Sequence, residues 1–217
     1  NINEAILKLN NSMSKYYIYL IIILVTSCGN KLDIESNKIK KENLTQNATA
    51  LILLGTTQDA GSPHIACNKK CCKNLFNNPD INRQVVSLGL FDAENNKRYL
   101  FEATPDISRQ MKVLKNFILP SKKEIADGIF ITHAHIGHYS GLMYLGKEAT
   151  NSRNIPVYIM PRMKFFLETN GPWSQLVSQN NITLKSMQNE KAVVLSKNIK
   201  ITPFLVPHRD EFSETVG

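Results

Sequence analysis

The sequence predicts a single α/β domain over residues 51–217, and three observations predict it. Short apolar or alternating runs of strand length are interleaved with segments of helical period, instead of being gathered at one end of the chain. Three of the five histidines, His133, His135 and His138, fall directly behind one such run. The span also has the ordinary size of a domain with one core.

Ahead of that domain the chain reads as three stretches. Residues 1–12 precede Met13, the first methionine, and suit either read-through from an upstream start or a fragment. Residues 13–27 carry Lys15 and then an apolar run, 16–25, well short of the roughly 20 residues of a membrane-spanning helix. A run of that length fits the apolar region of a signal peptide. Val25-Thr26-Ser27-Cys28 resembles a bacterial lipobox, in which Cys28 would be lipidated and become the first mature residue. A plain secretory leader and a buried core segment are the other readings. Residues 28–50 are polar and rich in Lys, Asn and Glu, as in a flexible tether. The lipobox reading puts the protein in the bacterial cell envelope, held to the membrane by its lipid on the periplasmic side or the surface.

The net charge of +8 is spread along the chain, with no basic run longer than a pair and no interleaved aromatic ladder. That pattern describes a solvated surface. A nucleic-acid groove needs clustered charge, so no nucleic-acid partner is expected.

Within the domain, a strand over 49–55 ends in Gly55 and leads into a turn-rich loop, 56–63. His64, Cys67, Cys71 and Cys72 come next. Thiolates are soft ligands, and three of them with an imidazole nearby could supply a structural zinc site. A disulfide and free thiols are the competing readings. Runs 85–91 and 98–102 flank the turn-forming segment 92–97 and read as a hairpin. Thr104-Pro105-Asp106 then opens a helix to about residue 116, with Thr104 as cap and Pro105 at the first helical position. Glu102 and Asp106 are either carboxylates placed behind a metal ligand or a solvated acid and a cap residue. Asp127 either orients a ligand or ends a turn.

The apolar run before His133 reads as a buried strand, and 139–149 as a helix with His138 at its start. Further strands are expected at 155–160, 181–184, 192–195 and 199–206, with a helix over 161–168. Gly171-Pro172-Trp173 is a turn whose tryptophan either walls a pocket or plugs the core. In an extended segment alternate side chains share a side, so His133 and His135 can present two imidazoles to one ion. Neutral imidazole suits zinc well.

Gly128 to Gly141 reads GIFITHAHIGHYSG, and its His133-Ala134-His135-Ile136-Gly137-His138 resembles the HxHxDH signature of the metallo-β-lactamase superfamily. All three motif histidines are kept, and Gly137 stands where the family has aspartate. Three wider stretches are similar to the branch of pyrroloquinoline quinone biosynthesis protein B: 54–61 (LGTTQDAG), 132–146 and 206–211 (VPHRDE). The similarity runs from about Leu51 to the last residue. It implies an αββα sandwich, of which this sequence carries the first half or more and is incomplete at its C-terminus.

It also implies that His208, at the end of the last strand, joins His133 and His135 around one ion with a fourth position open. Such a position would hold water acidified to a pKa of about 7, and hence hydroxide. His138 belongs to a second ion, whose other family ligands are the motif aspartate and two later residues, so that ion is in doubt. Cysteine-rich loops like 67–72 hold a structural metal in the resembling families.

The activity implied is hydrolysis of a small ester, phosphoester or amide-like substrate by metal-bound hydroxide, with Asp210 or Glu211 moving protons. The alternative is a non-hydrolytic role in binding, carrying or oxidising a quinone-cofactor precursor, with iron as a second candidate ion.

Overall fold

A computed structural model describes residues 49–117 and 123–217. The upstream segment, the signal peptide with Cys28 and nearly all of the tether lie outside the described residues. Among the described residues, no helix is long and apolar enough to cross a membrane.

Six strands form one mixed sheet in chain order: β1 (Ala50–Gly55), β2 (Ser87–Asp92), β3 (Lys97–Phe101), β4 (Gly128–Phe130), β5 (Ile155–Ile159) and β6 (Ile182–Ser186). β1, β2 and β3 pair antiparallel, as the hairpin expected at 85–102 requires. β3, β4, β5 and β6 run parallel, each joined to the next by a crossover. A second sheet of two short strands, β7 (Val193–Val194) and β8 (Lys200–Ile201), lies apart from the first in the hydrogen-bonding order. The α/β expectation is met.

Alternation along the central strands sends Leu100, Ile129, Val157 and Ile159 to one face and Tyr99, Phe130 and Tyr158 to the other. Helices cover the first face. α2 (Ile107–Lys115) follows the short α1 (Lys70–Lys73) and buries Ile107, Gln110, Met111 and Leu114. That i, i+3, i+4, i+7 stripe is why the segment is helical. α4 (Pro161–Thr169) opens on proline at a position where no amide donor is needed and buries Met163 and Leu167. The second face packs Leu90, Tyr99, Phe130, Met160 and Met187 with Ile199 and Val216. Phe130 stacks there on Phe101 at 5.1 Å and on Tyr158 at 4.4 Å, following the β3–β4–β5 register.

Three expectations need correcting. The helix placed at 139–149 is instead a single turn, α3 (Ile136–Tyr139), followed by a 3-10 helix (Ser140–Leu145). The cause is tertiary: Ala103 donates to the His138 carbonyl at 2.8 Å and accepts from the Gly141 amide at 2.8 Å, drawing both groups out of an α-helical ladder. A Cβ at position 141 would stand 2.2 Å from the Thr104 carbonyl, so glycine permits this close approach. The strand read at 199–206 is hydrogen-bonded as β8 only over two residues, because the segment carrying Pro203 leaves the ladder and Leu205 then bridges Val216. The turn read at 171–173 runs straight into α5 (Trp173–Ser178). Trp173 meets Tyr139 edge-on at 5.1 Å against the core, which favours the plug over the pocket wall.

Phe130 is 2% exposed and lies between two aromatic rings. Phe130→Ala should therefore cost about 3–5 kcal/mol of stability. Urea unfolding with an unchanged m-value checks this, and a loss below ~1 kcal/mol would mean that the stack is not a tightly packed part of the fold.

Candidate metal centre

β4 stops at Phe130, and the chain continues extended through Thr132 to His135, whose φ of −78° and ψ of 135° precede α3. The extended run puts His133 and His135 on one side, as their spacing predicts. His208 arrives from the other end of the chain. Beyond β8, residues 204–206 pair with 215–217: Leu205 bridges Val216, Val206 donates to the Thr215 carbonyl, and Phe204 and Gly217 exchange two hydrogen bonds. The return leg of this turn is fastened to the histidine segment, because Val216 donates to the Thr132 carbonyl at 3.1 Å and Ala134 donates to Ser213 Oγ at 2.8 Å.

The three rings converge. His133 Nε2 is 3.0 Å from His135 Nδ1, and His208 Nε2 is 3.2 Å from the same atom. One nitrogen from each ring lies within 4.8 Å of the others. Imidazole nitrogens on one tetrahedral ion at ~2.0–2.1 Å stand roughly 3.3 Å apart, so the spacing fits a single ion.

Thr132 Oγ1 is 2.8 Å from His133 Nδ1 and can accept a hydrogen bond from Nδ1–H, which leaves the inward Nε2 with a lone pair. Burial first, then the neighbouring histidines, push the His133 pKa down to about 3, so its imidazole is neutral as a ligand must be.

His138 stands apart from that trio. Its ring centroid is 4.2 Å from that of His133, but its Nδ1 faces Glu102 Oε2 at 3.5 Å, an ion-pair distance without hydrogen-bond geometry. Burial disfavours the charged form of His138, yet the carboxylates of Glu102 and Asp59 outweigh it and leave the pKa raised. Glu102 is buried and has a φ of 72°, the left-handed region that costs a non-glycine residue roughly 1–3 kcal/mol. That turn aims its carboxylate at His138 and at the Thr132 amide, 3.4 Å away. Of the two readings open for Glu102, the carboxylate behind a histidine is the one realised. Asp106 instead accepts from the Val85 amide at 2.8 Å, and Asp127 clamps β3 to the start of β4 through the Arg98 amide at 2.9 Å.

The two carboxylates after His208 separate. Glu211 Oε2 is 3.6 Å from His135 Nε2, and its own backbone amide, Arg209 and His135 hold its pKa low against desolvation. Asp210 turns away and pairs with Arg162 at 3.7 Å. Arg162 also donates to the carbonyls of Asp210 and Glu211, and its amide is capped by Glu214, which fixes the loop after His208 to the start of α4.

Among the described residues one other group could hold a metal: Cys67, Cys71 and Cys72. Their sulfurs are 4.0 Å (Cys67 to Cys71) and 3.9 Å (Cys71 to Cys72) apart, and all three are free thiols. The His64 ring is not among them; its Nδ1 accepts from the Ala66 amide at 3.3 Å within the loop. Hydrogen bonds from Cys72 and the Lys69 amide lower the pKa of Cys67. The residues that sequence reasoning missed are Ser213 and Asp59. Ser213 is a serine among serines, and Asp59 lies in a loop distant in sequence.

Two outcomes follow. An unfolded chain protonates His133 near pH 6.5, whereas the fold resists until about 3. The unfolded state therefore binds more protons across that window, and metal-free protein loses stability as pH falls through it. Melting temperatures of chelated protein between pH 6.5 and 4 should fall, and His133→Gln should flatten that slope; parallel slopes would refute the assignment. Ser213→Ala removes the clamp on Ala134 between two ligands and should weaken metal affinity on the order of 10-fold, read by competition with a chelator.

The model of the β-lactamase superfamily domain matches residues 97–217. Zn2+-bound PqqB from Methylobacterium extorquens has a similar fold, with a TM-score of 0.60 and 17% identity over 74% of this chain and 56% of its own. A diphosphatase of the PhnP family gives a TM-score of 0.55 and 24% identity over 78% of this chain and 60% of its own. The chain thus spans less than two thirds of the length of either. No curated protein sequence matches it. Because the matched region covers more than half of the chain and includes all four clustered histidines, the chain belongs to the β-lactamase superfamily.

Proposed function

We propose that the protein is a metal-dependent hydrolase of a small ester, phosphoester or amide-like substrate, with the ion held by His133, His135 and His208. The observation that carries this reading is the convergence of three imidazole nitrogens at one-ion spacing, with the Glu211 carboxylate beside them. The donor set fits zinc, and three imidazoles also accommodate iron. A divalent ion bound there supplies Lewis acidity, polarising a substrate oxygen and lowering the pKa of water.

The remaining steps belong to the chain. Glu211, held ionised by its surroundings, accepts the proton released by the attacking water and returns it to the leaving group. A cleft of about 440 Å³ adjoins Glu211 and is lined by Pro161, Arg162, Phe165, Phe166 and Phe212. Its aromatic walls receive the apolar part of a substrate. The similarity in fold to a diphosphatase supports a phosphoester within this class.

The aromatic lining also favours a second reading, in which a flat quinone-cofactor precursor is bound without hydrolysis. Purified full chain loaded with Zn2+ should hydrolyse bis(p-nitrophenyl) phosphate or a nitrophenyl ester, and His133→Ala should lose the ion of the three-histidine site and turnover together. Glu211→Gln should keep the metal and lower kcat about 10²–10⁴-fold. Metal retained without turnover of any of these substrates would reject hydrolysis in favour of the second reading.

A further inference from the structure

Position 137 carries no side chain, and the space that a side chain would fill is already taken. A Cβ built on Gly137 would stand 2.3 Å from the Cβ of Asp59 and 2.6 Å from its carbonyl oxygen. The two side chains therefore cannot coexist, and Asp59 projects its carboxylate from almost the point where one rooted at 137 would begin. The loop that delivers it is tied on both sides. Thr56 and Thr57 donate to the Gln84 carbonyl, Thr57 bridges Val85, and the Gln58 side chain closes a turn onto Ala60 and Gly61.

The orientation of His138 is a second observation. Its Nδ1 is turned toward the buried Glu102 at 3.5 Å, which puts Nε2 on the side of the ring away from that carboxylate. A carboxylate backing one imidazole nitrogen while the other binds an ion is a common arrangement around metals. The His138 ring is also 4.2 Å from that of His133, close enough to serve the same centre.

We propose that Asp59 and His138 together bind a second divalent cation beside the one on His133, His135 and His208. The carboxylate reaches the site from the loop after β1 instead of from position 137. An oxygen and a nitrogen donor on one side of an existing ion give a mixed hard and borderline pair suited to zinc or manganese. The inference rests on the three-histidine reading above, since it adds an ion next to that one. It gives the second ion an anionic ligand that position 137 has no side chain to supply.

The test is a count of bound Zn2+ after equilibrium dialysis of the full chain, with melting curves to verify folding. Counts are compared between variants, so that an ion on the cysteine loop cancels. Asp59→Asn should lose one equivalent and keep the rest. Gly137→Asp alone should be destabilised by the clash. The double variant Asp59→Gly, Gly137→Asp should regain the lost equivalent, because the carboxylate then rises from the other side of the same space. If Asp59→Asn binds as many ions as the parent, with affinities within twofold, the proposal is overturned while the three-histidine reading stands. If the parent retains the same count as His133→Ala, the underlying reading fails and the proposal fails with it.

Discussion

The parallel pairing of β3, β4 and β5 is the constraint on which the candidate centre depends. Parallel strands bring their carboxyl ends to one edge, which is where open α/β sheets bind ligands. Glu102 follows β3, the histidine run follows β4, and Arg162 follows β5. One hydrogen-bond register therefore collects a carboxylate, three imidazoles and a guanidinium without any of them being adjacent in space by accident of a loop. Ala103 reinforces the alignment, since its amide and carbonyl clasp the first turn after the histidines. A slip of one residue between β3 and β4 would turn Glu102 away from His138 and bury the wrong face of both strands.

How much of this is legible beforehand follows from how local each signal is. The period-2 pattern of β5 and the i, i+3, i+4, i+7 stripe of α2 are properties of short windows, and both elements lie where those windows place them, although α2 starts at Ile107 behind an Asp106 N-cap and not with Pro105 at its first position. His133 and His135 are equally local, because two residues on an extended run must share a side. The resemblance was needed to bring in His208, which is separated from His135 by 73 positions. Ser213 carries no local signal, and Asp59, although inside the 54–61 stretch of resemblance, has no local mark of what it meets. Their meaning arises from which backbone they meet, Gly137 in one case and the Ala134 amide in the other. The helix expected after His138 fails for a similar reason: its period is sound, but contacts with Ala103 and Thr104 override the local preference.

The electrostatics of the centre are uneven by construction. His133 is kept neutral by burial among other imidazoles, whereas His138 sits against Glu102 and near Asp59 and favours charge. Two histidines with ring centroids 4.2 Å apart are thus tuned in opposite directions by what lies behind them. The left-handed backbone at Glu102 belongs to the same design, since that turn points its carboxylate at His138.

The fastening of the 213–217 segment to the histidine run has a kinetic side. The Ala134 to Ser213 hydrogen bond joins residues 79 positions apart, so the loop entropy for closing it must be met before the contact returns anything. The pairings of the six-stranded sheet are shorter in range and cost less of that entropy. By loop entropy the sheet and the first two histidines are cheaper to position than His208, whose place depends on the longer closure. A metal ion captured early would then act as a template for that closure.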